Sequence, residues 1–243
     1  MARVIVVGSI NQDVTVTVDR FPSPGETLSG TSLTYSLGGK GANQAAAAVH
    51  SGATVIFVGA LGSDPSGQRL RCDLASHGVD VTHLREADGP SGTALITVAA
   101  SGENTIILDA GANATVSITP AKASLFPAPS DIVVLQAEIP ERANAEALAW
   151  AHSFGARVLL NLAPARPTDP ALMARTDILV VNETEAGLTL GMPAPSGPME
   201  AIGVARALRG LGPKHVMVTL GADGAAWASG SQAGHCPALT LGE

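Results

Sequence analysis

Charge, aromatic rings and cysteine are all scarce in this chain of 243 residues, and each shortage removes a class of function. Charged residues make up 14% of it, and the 14 Lys and Arg are outnumbered by 21 Asp and Glu, for a formal net charge of −7. A nucleic-acid backbone recruits a dense Lys/Arg surface, and no basic run is present, so no nucleic-acid partner is expected. Aromatic residues are only 3%, which argues against stacking faces for a base. Cys72 and Cys236 stand far apart without a Cys-x-x-Cys spacing, so neither a disulfide framework nor a zinc site is indicated, and both are expected as small buried apolar residues. The six histidines show no His-x-x-x-His or His-Cys grouping. The apolar run before Gly8 is too short for a signal-peptide core or a membrane span, so no membrane partner and a reducing cytoplasm are expected.

What is present suits a globular α/β protein. Hydrophobic residues are 46% of the chain and mean hydropathy is +0.27, enough to bury one large core. One α/β domain over residues 1–243 is the simplest organisation. Apolar strand segments at 3–9, 54–61, 132–136, 157–161, 178–181 and 215–220 alternate with helical patterns at 41–51, 67–77, 140–154 and 199–211. That rhythm predicts a mainly parallel sheet covered on both faces. Two regions depart from it. Val14, Val16 and Val18 alternate with Thr15 and Thr17, and residues 28–37 and 92–108 read as further strands, the latter bent at Ser101-Gly102. Alternating strands of this kind keep one face wet or reserve it for a partner. Residues 192–198, rich in Pro and Gly, read as a surface loop.

The most informative stretch is Gly38-Gly39-Lys40-Gly41-Ala42-Asn43-Gln44-Ala45, a glycine turn running into a helix. Glycines admit a ligand close to the main chain, and amides at a helix start favour oxygen-rich partners. Lys40 and Asn43, three apart, can face the same side of the first turn. The pattern is not a Walker A loop, because no Ser or Thr follows Lys40. Upstream, Asn11 and Asp13 alternate along a strand and so share a face, where a carboxylate and an amide suit vicinal hydroxyls. A turn or edge-strand polar pair is the plainer alternative. Gly8 stands alone, without the Gly-x-Gly-x-x-Gly of a dinucleotide fold.

Seven segments in order, Gly8-Ser-Ile-Asn-Gln-Asp13, Phe21-Pro-Ser-Pro-Gly-Glu-Thr27, Gly38 to Ala45, Ala110-Gly-Ala-Asn113, Asn161-Leu-Ala-Pro-Ala-Arg166, Asn182-Glu-Thr-Glu185 and Thr219-Leu-Gly-Ala-Asp-Gly224, resemble the ribokinase family of sugar and nucleoside kinases. The resemblance implies a three-layer α/β/α fold with a mainly parallel central sheet. It adds a small β lid, at about 12–37 and 91–109, through which a homodimer forms. The implied activity is ATP-dependent phosphorylation of a sugar primary hydroxyl, best matched by D-ribose to ribose 5-phosphate. Another sugar or nucleoside kinase, or a non-catalytic sugar- or nucleotide-binding remnant, are the alternatives.

By the same resemblance Asn11, Asp13, Gly39, Lys40, Asn43 and Glu138 hold the sugar hydroxyls, although Glu138 reads equally as a helix-start acid near Pro140. Asn182, Glu185, Thr219, Gly221 and Gly224 meet the nucleotide phosphates, with Glu185 organising Mg2+ indirectly and a monovalent cation, K+, bound nearby in the family. Asn182 and Glu185 also spell a capping box, and Thr219 to Gly224 a hairpin turn, neither of which needs a ligand. Asn161 either positions phosphates or fixes its own loop. The family's catalytic base stands in a segment approximating Asp-Thr-x-Gly-Ala-Gly-Asp, expected beyond Glu243. No residue of the chain is assigned that role, the C-terminal part of the fold is expected to be missing, and residues 1–243 alone are expected to be inactive.

Overall fold

The computed structural model describes residues 2–239, and its contacts fall into two compact units. The first comprises Val6–Ser124 with Glu138–Pro140; the second comprises the described parts of 1–5, 125–137 and 141–243.

In the first unit, strands β1 (Arg3–Val7, of which the last two residues belong here) and β2 (Asn11–Val18) are followed by β3 (Ser32–Gly38) and helix α1 (Lys40–His50). Then come β4 (Thr54–Gly62), α2 (Pro65–Ser76), β5 (Asp80–Ala87), β6 (Gly92–Ala99) and β7 (Asn104–Asp109). Strand β4 is buried from Val55 onward, which explains why its sequence is a continuous apolar run, and it pairs in parallel with β5. Helix α2 starts where sequence chemistry says it should: Pro65 occupies the first turn, and Asp64 accepts the Gly67 N–H at 2.9 Å. Phe57, Leu61, Leu70, Leu74 and Ile118 are buried in the core of this unit.

Strands β2, β3, β6 and β7 form a separate four-stranded sheet in the order β3-β2-β6-β7. Strands β2 and β6 are parallel, and the outer two pair antiparallel. The alternation seen in the sequence becomes two faces. Val14, Val16, Leu33, Tyr35, Leu95 and Ile107 share one, and Asp13, Ser36, Ala94 and Leu108 share the other.

The second unit continues with β8 (Ile132–Gln136), α3 (Glu141–Ser153), β9 (Arg157–Asn161), α4 (Pro170–Ala174), β10 (Ile178–Asn182), α5 (Glu183–Leu190) and α6 (Pro198–Arg209). It closes with β11 (His215–Thr219), β12 (Ala225–Ser229) and β13 (Gln232–Cys236). Neighbours run β13-β12-β11-β10-β9-β8; β8 to β11 are parallel, and β12 and β13 return antiparallel as a meander.

Two aspartates fasten the amino ends of these strands. Asp131, just before β8, takes the Arg3 guanidinium at 2.7 Å and the Arg3 and Ala128 N–H groups at 2.8 Å each. Asp177, just before β10, takes Lys214 Nζ at 2.7 Å, His152 Nε2 at 2.9 Å and the Val158 N–H at 2.8 Å.

The mainly parallel α/β architecture expected from the sequence is present. The cysteine expectation is corrected: Cys72 and Cys236 are both exposed. Cys72 falls on the outward face of the polar helix α2, and Cys236 ends the edge strand β13, so burial is denied by position rather than by chemistry.

Candidate active site

The strand-to-helix passage from β3 into α1 is built by close approach. Gly39 has φ of 90°, and a Cβ there would stand 2.9 Å from the Asn11 amide nitrogen, so only glycine fits the turn. At Gly38 a side chain would collide with the Asp13 carboxylate. The start of β2 therefore lies directly against the turn, as register pairs Asn11–Gly38 and Asp13–Ser36 require.

The helix-start amides are not left open, which corrects the expectation drawn from the glycine turn. Lys40 N–H donates to Glu138 Oε2 at 3.0 Å, Gly41 N–H to Ser9 Oγ at 3.2 Å, and Ala42 N–H to the Ser9 carbonyl at 2.9 Å. Ser9 Oγ donates in turn to Glu138 Oε2 at 2.6 Å. Backbone amides withdrawn from water need partners, and here a serine and a distant carboxylate supply what Gly39, having no side chain, cannot. Glu138 is thus a helix-start acid, but of α1 rather than of the helix that follows it in sequence. Both of these bonds fall on Oε2.

Among the described residues no hydrogen-bond donor to the Asp13 carboxylate is comparable. Burial, and then the charge of Glu138, push its carboxyl above the ordinary aspartate range. Asn11 is buried, and its Oδ1 accepts from Asn113 Nδ2 at 2.7 Å. Lys40 and Asn43 occupy the first turn of α1, half-buried and exposed respectively. The first unit therefore gathers all six residues expected to hold sugar hydroxyls: Asn11, Asp13, Gly39, Lys40, Asn43 and Glu138. Sequence reasoning gave no role to Ser9 and Asn113, although both lay inside quoted motifs. Ser9 and Asn113 are both fully buried, and buried polar groups need partners, but the sequence carries no local sign of where those partners stand.

In the second unit, the residues expected to meet phosphates collect at the carboxyl ends of parallel strands, where open sheets receive ligands. Asn182 ends β10 and Thr219 ends β11, and the two are register partners. Asn182 Oδ1 accepts the Glu185 N–H at 2.8 Å while Glu185 Oε2 accepts the Asn182 N–H at 2.9 Å, a complete capping box at the start of α5. Thr219 Oγ1 donates to the Val181 carbonyl at a long 3.4 Å. Gly221 and Gly224, with φ of 55° and 90°, bracket the turn, which Leu220 N–H closes onto the Gly224 carbonyl at 2.8 Å. Strands β11 and β12 form the hairpin the sequence allowed. Asn161 ends β9 and donates to the Val180 carbonyl at 3.1 Å. Among the described residues no group of three or more His, Cys, Asp or Glu is placed to hold a metal. The base expected beyond Glu243 lies outside the described residues.

No described helix is long and apolar enough to cross a membrane. The pattern of the pfkB family carbohydrate kinases matches residues 1–241. A ribokinase of Haemophilus influenzae is 39% identical over 223 residues, which are 90% of this chain and 72% of that protein. A ribokinase of Bacillus subtilis is 37% identical over 236 residues, 96% of this chain and 76% of that protein. Among solved structures, Arabidopsis thaliana ribokinase complexed with ribose and ATP is similar at a TM-score of 0.86 and 32% identity, over 100% of this chain and 80% of that one.

Proposed function

Because this chain belongs to the pfkB family of carbohydrate kinases, we propose that its residues build the sugar and nucleotide sites of an enzyme that transfers phosphate from ATP to D-ribose, giving ribose 5-phosphate. The observation that carries this reading is the arrangement at the turn into α1, where Asn11, Asp13 and Glu138 surround Gly38 and Gly39. Carboxylates accept and an amide donates, so several neighbouring hydroxyls can be bound at once. Each bond to a charged group contributes about 1.5–3 kcal/mol. A sugar lacking one of these hydroxyls leaves a polar group unpaired and is rejected.

At the ends of β10 and β11, Asn182, Thr219 and the Gly221–Gly224 turn would hold the ATP phosphates, with Mg2+ near Glu185. When bound, Mg2+ neutralises charge on the transferred phosphoryl group. K+ is the monovalent cation carried over from the resemblance. The four-stranded sheet is the proposed lid and dimer contact, because Leu33, Tyr35, Leu95 and Ile107 lie on one face and are each more than half exposed. The proposed compartment is the cytoplasm.

No residue among 1–243 is proposed as the catalytic base. The test is incubation of the protein with ATP, Mg2+ and D-ribose, with ribose 5-phosphate followed by mass and ribose binding by calorimetry. Ribose binding is the expected result. Saturable binding of a different sugar with none of ribose would refute the substrate.

A further inference from the structure

Asn113, in the tight turn Gly111–Thr115 that follows β7, uses its whole side-chain amide inside the protein. Its Oδ1 accepts the Ile10 N–H at 3.0 Å, and its Nδ2 donates to the Ile10 carbonyl at 3.1 Å and to Asn11 Oδ1 at 2.7 Å. Ile10, Asn11 and Asn113 are all buried, so water does not substitute for these bonds. The orientation of Asn113 follows from chemistry: a main-chain N–H only donates and a main-chain carbonyl only accepts, so its oxygen must face one and its nitrogen the other. With both Nδ2 hydrogens spent, Asn113 keeps no donor for a ligand. One of those hydrogens fixes the Asn11 amide, occupying its oxygen and leaving its nitrogen as the group offered outward. Gly92 is part of the same device, because a Cβ there would collide with both Asn113 Nδ2 and Asn11 Oδ1.

We propose that Asn113 is a positioning residue that fixes Asn11 as a hydrogen-bond donor toward the sugar, so that the site presents one amide donor beside the acceptors Asp13 and Glu138. The inference rests on the reading of Asn11 as a sugar contact. It assigns the polarity of the site to a residue that never touches the ligand. Because Asn113 directly follows the β6–β7 hairpin, it also ties the end of that hairpin to the sugar-bearing strand β2.

Calorimetric titration of D-ribose into the protein and its variants tests this. Asn113→Ala should weaken ribose binding about tenfold, the scale of one neutral bond lost from a pre-set geometry. The double variant Asn11→Ala/Asn113→Ala should bind no more weakly than Asn11→Ala alone, to within about twofold, since the two residues act through one contact. A general disturbance of β2 would reach Asp13 as well and would add to Asn11→Ala; that additive result overturns the proposal, as does an Asn113→Ala protein with unchanged affinity. Should Asn113→Ala fail to fold, Asn113→Asp serves instead. It keeps an acceptor for the Ile10 N–H but turns an oxygen toward Asn11, and the same non-additivity with Asn11→Ala is expected. Absence of any pentose binding by the unaltered protein would reject the sugar-site reading and this inference together, whereas wild-type binding with additive losses rejects this inference alone.

Discussion

Asp177 and Asp13 are both drawn away from water, yet their surroundings treat the charge in opposite ways. For Asp177 burial alone would raise the carboxyl, but hydrogen bonds from Lys214, His152 and the Val158 N–H outweigh it and hold the group below the ordinary range. Asp131 is held down in the same manner by Arg3 and the Ala128 N–H, against its burial. At Asp13, burial acts with the neighbouring charge of Glu138 and both push upward. Charges that fasten strand ends thus carry several donors, while Asp13 has no such set among the described residues. The difference separates carboxylates that stabilise the fold from the one proposed to meet a ligand.

The contrast can be broken by substitution. Glu138→Ala should have the largest effect, because Glu138 serves both purposes. Removing a charged acceptor should weaken ribose binding roughly 10- to 150-fold, and loss of the Lys40 N–H and Ser9 partners should lower stability by about 1–3 kcal/mol in urea unfolding. Asp177→Ala should lower stability by a similar 1–3 kcal/mol, since the Val158 N–H loses its acceptor, yet leave ribose affinity unchanged. Its pH dependence follows from the sign of the shift. A lowered carboxyl stabilises the fold above its unfolded value, near pH 4, and that contribution disappears as pH falls through the lowered value. The wild-type protein should therefore lose its stability advantage over Asp177→Ala in acid. Ser9→Ala should act more mildly, weakening ribose binding about fivefold by releasing Glu138 Oε2 and unpairing the Gly41 N–H. Lys214→Ala should change stability by less than about 1 kcal/mol, because its side chain is 72% exposed.

Much of this was legible in the sequence where one physical signal dominated. Strands β4 and β8 are largely buried, β9 to β11 alternate buried with half-buried or exposed positions, and the apolar runs of all five announced them, while Asn182 and Glu185 spelled their capping box. Strand β5 was missed because Asp80, His83, Arg85 and Glu86 break its pattern; it is a strand through pairing with β4. Strands β12 and β13 are small and mixed, and Gly234 is accommodated under the Trp227 ring, a tertiary contact with no local signature. The roles of Ser9 and Asn113 were hidden by sequence distance: their partners Glu138 and Asn11 are 129 and 102 residues away.

The most direct test of the contrast is Asp13→Asn, measured by ribose calorimetry and thermal unfolding at neutral pH and in acid. Asp13 is raised in the fold, so its ionised form opposes folding: the contribution of this one group to stability is fully present at low pH and is lost as pH rises from the ordinary aspartate range through the raised value, opposite in sign to that of Asp177. The account predicts that wild-type protein binds ribose, that Asp13→Asn binds at least tenfold more weakly, and that Asp13→Asn is as stable as wild type or more so at neutral pH. An Asp13→Asn protein that binds ribose normally, or that unfolds as readily as Asp177→Ala, would contradict it.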